Sequence, residues 1–195
     1  MRPIDQLITA GKNLYVLGID DSPFERDSLG PVHITGVFCR NTRFEGMLCS
    51  EITKDALDAT DVISSMILNS KFYEILNVVL LDGITIGGFN MIDLPELHKR
   101  IDRPCISVVR KYPDFERIYK ALDRFDDKDQ RIQIIKNAGE VFEGENIFFQ
   151  TAGCSEDIAK KILNKVSDRG VIPEAVRIAH LVGSAVVTGQ SGNRA

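Results

Sequence analysis

Acidic side chains stand at the ends of two apolar segments, an arrangement that suits a divalent cation. Leu14 to Asp20 (LYVLGID) runs into Asp20 and Asp21, and Asn77 to Asp82 (NVVLLD) ends at Asp82. If these segments are neighbouring parallel strands, their ends meet at one edge of a sheet, where the carboxylates repel each other. Mg²⁺ or Mn²⁺ neutralises such a pair and keeps positions open for water and phosphate. The pattern therefore indicates a metal site that activates water for phosphodiester hydrolysis.

The residues themselves leave two points open about this site. An aspartate at a strand end can simply make an Asx-turn, as Asp82 could with the glycine that follows it. A third ligand is expected from the first long helix, where Asp58 is the first candidate and Asp55 and Asp61 stand beside it. Asp58 and Asp61 also fit a helix N-cap with a carboxylate at the N3 position.

The last predicted helix carries a polar stripe on an otherwise apolar surface. Within residues 174–188 (EAVRIAHLVGSAVVT) the stripe covers about 120° of arc, and its members are Glu174, Arg177, His180, Ser184 and Thr188. Buried charged groups need partners, so we expect Arg177 and His180 to face carboxylates, phosphate or a water-filled cleft. Proton donation by His180 is a hypothesis. The alternative is a core histidine beside an Arg177–Glu174 ion pair.

A glycine-rich segment, Gly83 to Asn90 (GITIGGFN), follows the second acidic strand end. It matches neither a P-loop nor a dinucleotide fingerprint, because it lacks the G-K-[ST] ending and the G-x-G-x-x-G spacing. Backbone amides at Gly83, Gly87 and Gly88 can approach a ligand closely, and Phe89 could stack on an extruded base. A substrate-binding role for this segment competes with a flexible turn that places Phe89 in the core.

Hydrophobic periodicity predicts the elements that would position these side chains. The predicted strands are Leu14–Asp20, Val32–Arg40, Phe44–Ile52, Asn77–Asp82, Pro104–Val109 and, less clearly, Asn146–Gln150. The predicted helices run from Asp58 to about Ser70, over Pro95–Arg100, after Pro113, around Arg131–Asn137, after Ser155 and from Pro173. Three antiparallel strands followed by parallel strands joined by helices predict a ribonuclease H-like mixed sheet, an α/β fold with helices on both faces. We expect one domain over residues 1–195.

Composition excludes several other classes of protein. The 195 residues are 44% hydrophobic and 27% charged, which is ordinary for a globular protein and excludes disorder. No apolar run approaches the roughly 18 residues that a membrane span needs, and the first residues, MRPID, lack the apolar core of a secretion signal. We therefore expect a cytoplasmic protein without a membrane partner. The four cysteines form no C-x-x-C pair, which indicates reduced thiols.

Charge is distributed unevenly along the chain. The net charge is −4 and the pI is about 5.4, which argues mildly against nucleic-acid binding. Between His98 and Lys136, however, eleven Lys and Arg stand against seven Asp and Glu. This excess allows a basic flank beside an acidic centre. The alternative is that Arg117, Lys120 and Arg124 form the solvated face of a helix.

Four motifs resemble a known family of archaeal proteins, the endonuclease dU family. They are Gly18-Ile-Asp-Asp-Ser22, Leu81-Asp-Gly-Ile-Thr85 with Gly87-Gly-Phe-Asn90, Asp58-Ala-Thr60 and Pro173-Glu-Ala-Val-Arg-Ile-Ala-His180. That family is similar in turn to endonuclease V, a magnesium-dependent repair enzyme that nicks DNA beside deaminated bases. The resemblance implies that Asp20 and Asp82 bind metal, that Asp58 replaces a glutamate ligand, and that His180 matches a C-terminal histidine. The Pro-Tyr-Ile-Pro wedge of endonuclease V is absent, and Cys49-Ser-Glu-Ile52 runs on instead.

The expected function is a Mg²⁺- or Mn²⁺-dependent endodeoxyribonuclease acting on deoxyuridine-containing DNA. In this hypothesis Asp20 and Asp82 bind metal with help from Asp58 or Asp21, and His180 or Arg177 contacts phosphate. The alternatives are a non-catalytic binding module on the same fold and a nuclease for RNA or branched DNA. The oligomeric state is not predicted.

Overall fold

In the part of the chain that the structure describes, seven strands form one sheet, and helices pack on both of its faces. The computed structural model describes residues 3–25, 27, 30–168 and 170–192. The strands of the large sheet are β1 (Tyr15–Asp21), β2 (Pro31–Arg40), β3 (Arg43–Thr53), β4 (Val78–Asp82), β7 (Cys105–Val109), β8 (Phe142–Glu143) and β9 (Phe148–Ala152), and a separate hairpin is formed by β5 (Thr85–Ile86) and β6 (Asn90–Met91). The α-helices are α1 (Ile4–Thr9), α2 (Ala59–Leu68), α3 (Leu94–Ile101), α4 (Phe115–Leu122), α5 (Lys128–Asn137), α6 (Glu156–Val166) and α7 (Glu174–Thr188).

The strand order is β3-β2-β1-β4-β7-β9-β8. Strand β2 is antiparallel to both of its neighbours, β1 and β3, while β4 is parallel to both β1 and β7. The predicted change from antiparallel to parallel pairing is therefore confirmed. The less clearly predicted strand is observed as β9, which runs antiparallel to β7. Strand β8 and helix α1 were not predicted.

Alternation along the central strands divides the core between the two faces. Leu17 and Ile19 of β1 belong to the core beneath α2 and α3, whereas Val16 belongs to the core beneath α6 and α7. Strand β4 divides in the same way, with Leu81 on the first face and Leu80 on the second. Because both faces are covered, these strands are apolar throughout rather than alternating with polar residues.

Helix α7 lies directly on β1, and a glycine makes the close approach possible. A Cβ atom at Gly18 would lie under 3.0 Å from the backbone of Ala175 and Val176. Further along, Gly183 of α7 stands over Ser22 in the same way. The predicted burial of this helix holds for its first part, while Val186 and Val187 are 68% and 47% exposed. The crossing point at Gly18 fixes where the polar residues of α7 stand.

Two further sequence predictions concern the membrane and the cysteines. Among the helices that the structure describes, none is long and apolar enough to cross a membrane. All four cysteines are free thiols, with Cys39 and Cys105 buried.

Candidate functional site

Asp20 and Asp82 come together at one edge of the sheet, here called the carboxyl edge, where the parallel strands β1, β4 and β7 end. Ile19 pairs with Leu81, so the next residues along the two strands are Asp20 and Asp82. Side chains alternate between the two faces along a strand. Because Ile19 and Leu81 belong to the core beneath α2 and α3, the next residues, Asp20 and Asp82, point to the face that α7 covers. The charge of Asp82 raises the pKa of Asp20, as expected of carboxylates at neighbouring strand ends. The geometric condition that the sequence set for a metal site is met.

The environment of this pair disfavours negative charge. Burial is the main cause that raises the pKa of Asp20 to about 7, and repulsion from Asp82 and Asp21 adds to it. Desolvation also raises the pKa of Asp82, although its side chain reaches solvent. In the described part of the chain, no hydrogen bond to the Asp82 carboxylate is found. An exposed carboxylate with free oxygens beside a buried one is an arrangement that a cation would stabilise.

His180 joins this pair from α7. Its Nδ1 lies 2.8 Å from Asp20 Oδ2, and its side chain is 36% exposed. The contact lowers the pKa of Asp20, against the larger effect of burial. The polar stripe of α7 thus faces a carboxylate at this position, as its periodicity predicts.

Arg177 follows the alternative interpretation instead. Its Nε and Nη2 donate to the two carboxylate oxygens of Glu174 at 2.8 and 2.6 Å. The guanidinium is therefore occupied by an ion pair within α7, and the structure does not place it on the acidic pair. The expected phosphate contact at Arg177 finds no support in this geometry.

The glycine-rich segment is a hairpin, and two of its amides bond to carboxylates of the protein. Asp21 Oδ2 accepts a hydrogen bond from the Gly87 amide at 2.5 Å, and Asp55 Oδ1 accepts one from the Phe89 amide at 2.8 Å. Gly87 and Gly88 have φ of 57° and 88°, which L side chains rarely adopt. A Cβ at Gly88 would also collide with Asp55 Oδ1. These glycines close the hairpin against the sheet, and the Gly87 amide, one of the predicted ligand contacts, is taken up by Asp21.

The other members of that segment are structural as well. Gly83 has φ of 80° and donates its amide to Val108, which turns the chain away from Asp82. Phe89 packs on Phe125 with ring centroids 5.8 Å apart, in agreement with the core alternative rather than with a free stacking surface. Asn90 is fully buried.

The buried amide of Asn90 explains why Asp58 stands apart from the acidic pair. Asn90 Oδ1 accepts from the Ala59 amide at 3.0 Å, and Nδ2 donates to Thr53 O at 2.8 Å and to Asp58 Oδ1 at 2.5 Å. The Asp58 carboxylate also accepts from the Thr53 amide at 3.1 Å. Asn90 therefore ties the start of α2 to β3, and we correct its predicted role as a substrate contact.

None of the predicted third ligands from the α2 region is brought to Asp20 and Asp82. Asp58 occupies the N-cap position without capping the helix, and it is not among the charges that shift the pKa values of the pair. Asp61 pairs with Arg100, and Asp55 holds the hairpin. Asp21 is the remaining candidate, since its charge raises the pKa of Asp20.

Two residues near the pair were missed in the sequence. Arg110 follows the last residue of β7, is exposed, and lowers the pKa of Asp82. The strand-end argument that found Asp82 could have found Arg110, because β7 is the next parallel strand. Ser22 follows Asp21, and its buried Oγ has no hydrogen-bond partner among the described atoms. No sequence signal marks that hydroxyl.

The donor set fits a hard cation that keeps much of its water. The carboxylates of Asp20 and Asp82 supply oxygen ligands on one face of the sheet, and the unpartnered Ser22 hydroxyl adds an unsatisfied oxygen close by. Within residues 3–25, 27, 30–168 and 170–192, however, no group of three or more His, Cys, Asp or Glu is arranged as a metal site. Mg²⁺ commonly takes only one or two carboxylates and completes its shell with water and phosphate.

Replacing Asp20 with asparagine should stabilise the protein in the absence of metal. The pKa of this carboxyl rises from 3.8 to about 7 on folding, so its charge is unfavourable in the native state. Stability should fall as the pH rises through that interval, and Asp20→Asn should remove the fall. At pH 8 with chelator we expect a gain on the order of 2 kcal/mol, or roughly 4–8 °C in Tm. Thermal melts of both proteins at pH 4.5 and pH 8 measure it, and equal Tm values at pH 8 would contradict it.

The mixed sheet, its helices on both faces and its edge of paired acids define a protein with the ribonuclease H-like fold. Solved endonuclease V structures share this fold. One is Ciona intestinalis endonuclease V in complex with a 24mer DNA containing an inosine followed by a ribo-adenosine (16% identity, TM-score 0.62, covering 92% of this chain and 88% of that one). The sequence model of the family Endonuclease dU matches residues 12–187, and the chain belongs to that family.

Individual relatives agree with this assignment. A UPF0215 protein of Methanosarcina acetivorans is 46% identical over 187 residues, covering 92% of this chain and 94% of the relative. A crystal structure of a protein of unknown function from Archaeoglobus fulgidus shares 37% identity with a TM-score of 0.84, covering 89% of this chain and 98% of that one. The family name and the structural neighbours point to a nuclease.

Proposed function

We propose that this protein is a divalent-metal-dependent endodeoxyribonuclease that cleaves DNA containing deoxyuridine. The observation that carries the proposal is the meeting of Asp20, Asp82 and His180 at the ends of β1 and β4. The family description supports the choice of deoxyuridine, and the DNA complex of an endonuclease V supports DNA as the substrate. The proposed location of the protein is the cytoplasm.

Asp20 and Asp82 would hold Mg²⁺ or Mn²⁺, with Asp21 the nearest further acid. When bound, such a cation activates water and offsets the charge that builds on a phosphodiester. His180 orients Asp20 through its Nδ1, and its ring is partly exposed. When both ring nitrogens carry a proton, Nε2 would give its proton to the leaving oxygen of the phosphodiester as the P–O bond breaks. Arg110, exposed beside Asp82, stabilises the negative charge of the phosphate.

A cleavage assay tests this function directly. Matched duplexes with deoxyuridine, thymidine or deoxyinosine at one position are incubated with the protein and Mn²⁺, Mg²⁺ or EDTA. We expect nicking of the deoxyuridine strand with either metal and none with EDTA. Equal cleavage of all three duplexes would contradict the proposed specificity for deoxyuridine. Cleavage that persists in EDTA would contradict the proposed metal dependence.

A non-catalytic binding module remains the second candidate, favoured by the acidic net charge of −4 and by the hairpin amides that the protein already satisfies. Metal binding separates the two. A cation that binds only the native state stabilises it by about 2.7 kcal/mol when its concentration is 100 times Kd. This corresponds to a rise of roughly 5–10 °C in Tm. We expect Mn²⁺ to produce such a shift by differential scanning fluorimetry. A Tm independent of Mn²⁺ would favour the binding module.

A further inference from the structure

Three cations form one line on the surface of α4 and the turn that follows it. Arg117, Lys120 and Arg124 are all exposed. Arg117 and Lys120 lie on α4 within about 60° of arc, and Arg124 lies in the turn directly after the C-cap residue Asp123. We call these three residues the α4 basic stripe.

The stripe is poorly neutralised by the protein. Among the described residues, Arg117 and Lys120 make no ion pair, and Arg124 makes one at 3.4 Å while its side chain stays 59% exposed. The next cations along the chain are neutralised by ion pairs, since Lys128 pairs with Asp123 and Arg131 pairs with Asp127. Positive charge left unpaired on one face of an acidic protein favours a polyanionic partner.

Both ends of α4 are connected to the carboxyl edge, one through the chain and the other through contacts with the hairpin. At the N-terminal end, the chain reaches α4 directly from Arg110, whose charge acts on Asp82. At the C-terminal end, Arg124 contacts Asp55 and lies over the ring of Phe89, with its Cζ 5.2 Å from the centroid. Both Asp55 and Phe89 belong to the contacts of the hairpin that Asp21 holds at the carboxyl edge.

Aromatic rings hold parts of this surface in place. The Arg124 guanidinium also lies 4.7 Å from the ring centroid of Phe125, so it contacts two rings before any partner arrives. Tyr112 precedes α4, is 58% exposed, and packs edge-on against Phe115 and Phe148 at 6.1 and 5.6 Å. Side chains fixed in this way lose less conformational entropy when they bind.

We propose that the α4 basic stripe binds the phosphate backbone of the DNA substrate beside the bond that is cut. This inference rests on the proposed function and names the surface through which it recognises its partner. The backbone of Asp123 continues the helical conformation after α4, so the seven steps from Arg117 to Arg124 advance about 10 Å at the helical rise. One strand of a duplex carries about three phosphates over that length. Three cations therefore face about three phosphates, and the acidic remainder of the surface repels DNA elsewhere.

Salt-dependent binding tests the proposal. The variant R117Q/K120Q removes two exposed charges, and K12Q/K161Q removes two exposed lysines away from α4 as the matched control. Binding of fluorescent deoxyuridine and undamaged duplexes is measured by anisotropy in EDTA between 50 and 200 mM salt. We expect the slope of log K against log salt to fall by about two for R117Q/K120Q on both duplexes, because phosphate contacts are independent of sequence. The control should keep the wild-type slope.

The outcomes of this binding experiment distinguish a failure of the inference about the stripe from a failure of the proposed nuclease function. If the wild-type protein binds DNA and R117Q/K120Q keeps its slope, the stripe is not the contact surface, while the nuclease proposal stands. If both double variants lose the same slope, a general charge effect replaces the stripe and overturns the inference. If the wild-type protein neither binds nor cleaves any duplex, the proposed function itself fails.

Discussion

Replacing Asp82 with asparagine should abolish metal-dependent cleavage of a deoxyuridine duplex and leave the fold intact. The side chain keeps its shape but loses the charge that a cation requires. Losing several kcal/mol of transition-state stabilisation corresponds to a fall of about 10³-fold in kcat/KM. The fold should tolerate the change, since Asp82 is exposed and its carboxylate accepts no hydrogen bond from the described residues. Single-turnover cleavage in Mn²⁺ gives the rate, and circular dichroism checks the fold.

Asp61→Asn is the matched control for this experiment. Asp61 is one of the predicted third ligands, but it lies on α2 and pairs with Arg100. We expect the Asp61 variant to cleave like the wild-type protein and to keep its Mn²⁺-induced rise in Tm, whereas the Asp82 variant loses both. Near-normal cleavage by Asp82→Asn would leave the paired acids without a role in catalysis.

The sequence predicted the placement of Asp20, Asp82 and His180 because each depends on a short-range regularity. Parallel strands end at a common edge, so an acid at the end of each strand needs only the strand order to be placed. His180 needed only the helical period of a stripe on an apolar helix. These arguments rest on local patterns and on one topological assumption, that β1 and β4 are neighbouring parallel strands. The pairing of Ile19 with Leu81 confirms that assumption.

Residues whose partners come from distant parts of the chain could not be predicted in this way. Asn90 is a polar residue after a glycine-rich run, and nothing near it in sequence shows that it binds Thr53 and Asp58. Arg177 and Glu174 are close in sequence, and the choice between an ion pair and phosphate depended on what faces α7. Strands of two residues, such as β8, are too short to show a period.

Replacing Gly18 with alanine should cost more stability than any conservative change elsewhere in the sheet. The added Cβ would lie under 3.0 Å from backbone atoms of Ala175 and Val176, which cannot rotate away as a side chain can. Helix α7 must therefore shift off β1, and overpacking of this kind costs about 3 kcal/mol, or roughly 6–12 °C in Tm. The shift also moves His180 away from Asp20. Thermal melts measure the first effect, and the imidazole NMR signal of His180, assigned with His180→Gln, measures the second.

Gly36→Ala separates this close approach from the general effect of a glycine in a strand. Gly36 lies on β2 opposite Ile19, and its nearest neighbour is the flexible tip of Leu17, 3.3 Å from an added Cβ. Both changes add the same methyl group to the same sheet, so only the Gly18 variant should lose stability and disturb His180. Equal Tm values for the two variants would mean that α7 can move off β1 at little cost. In that case Gly18 would not be the residue that determines the 2.8 Å contact between His180 and Asp20.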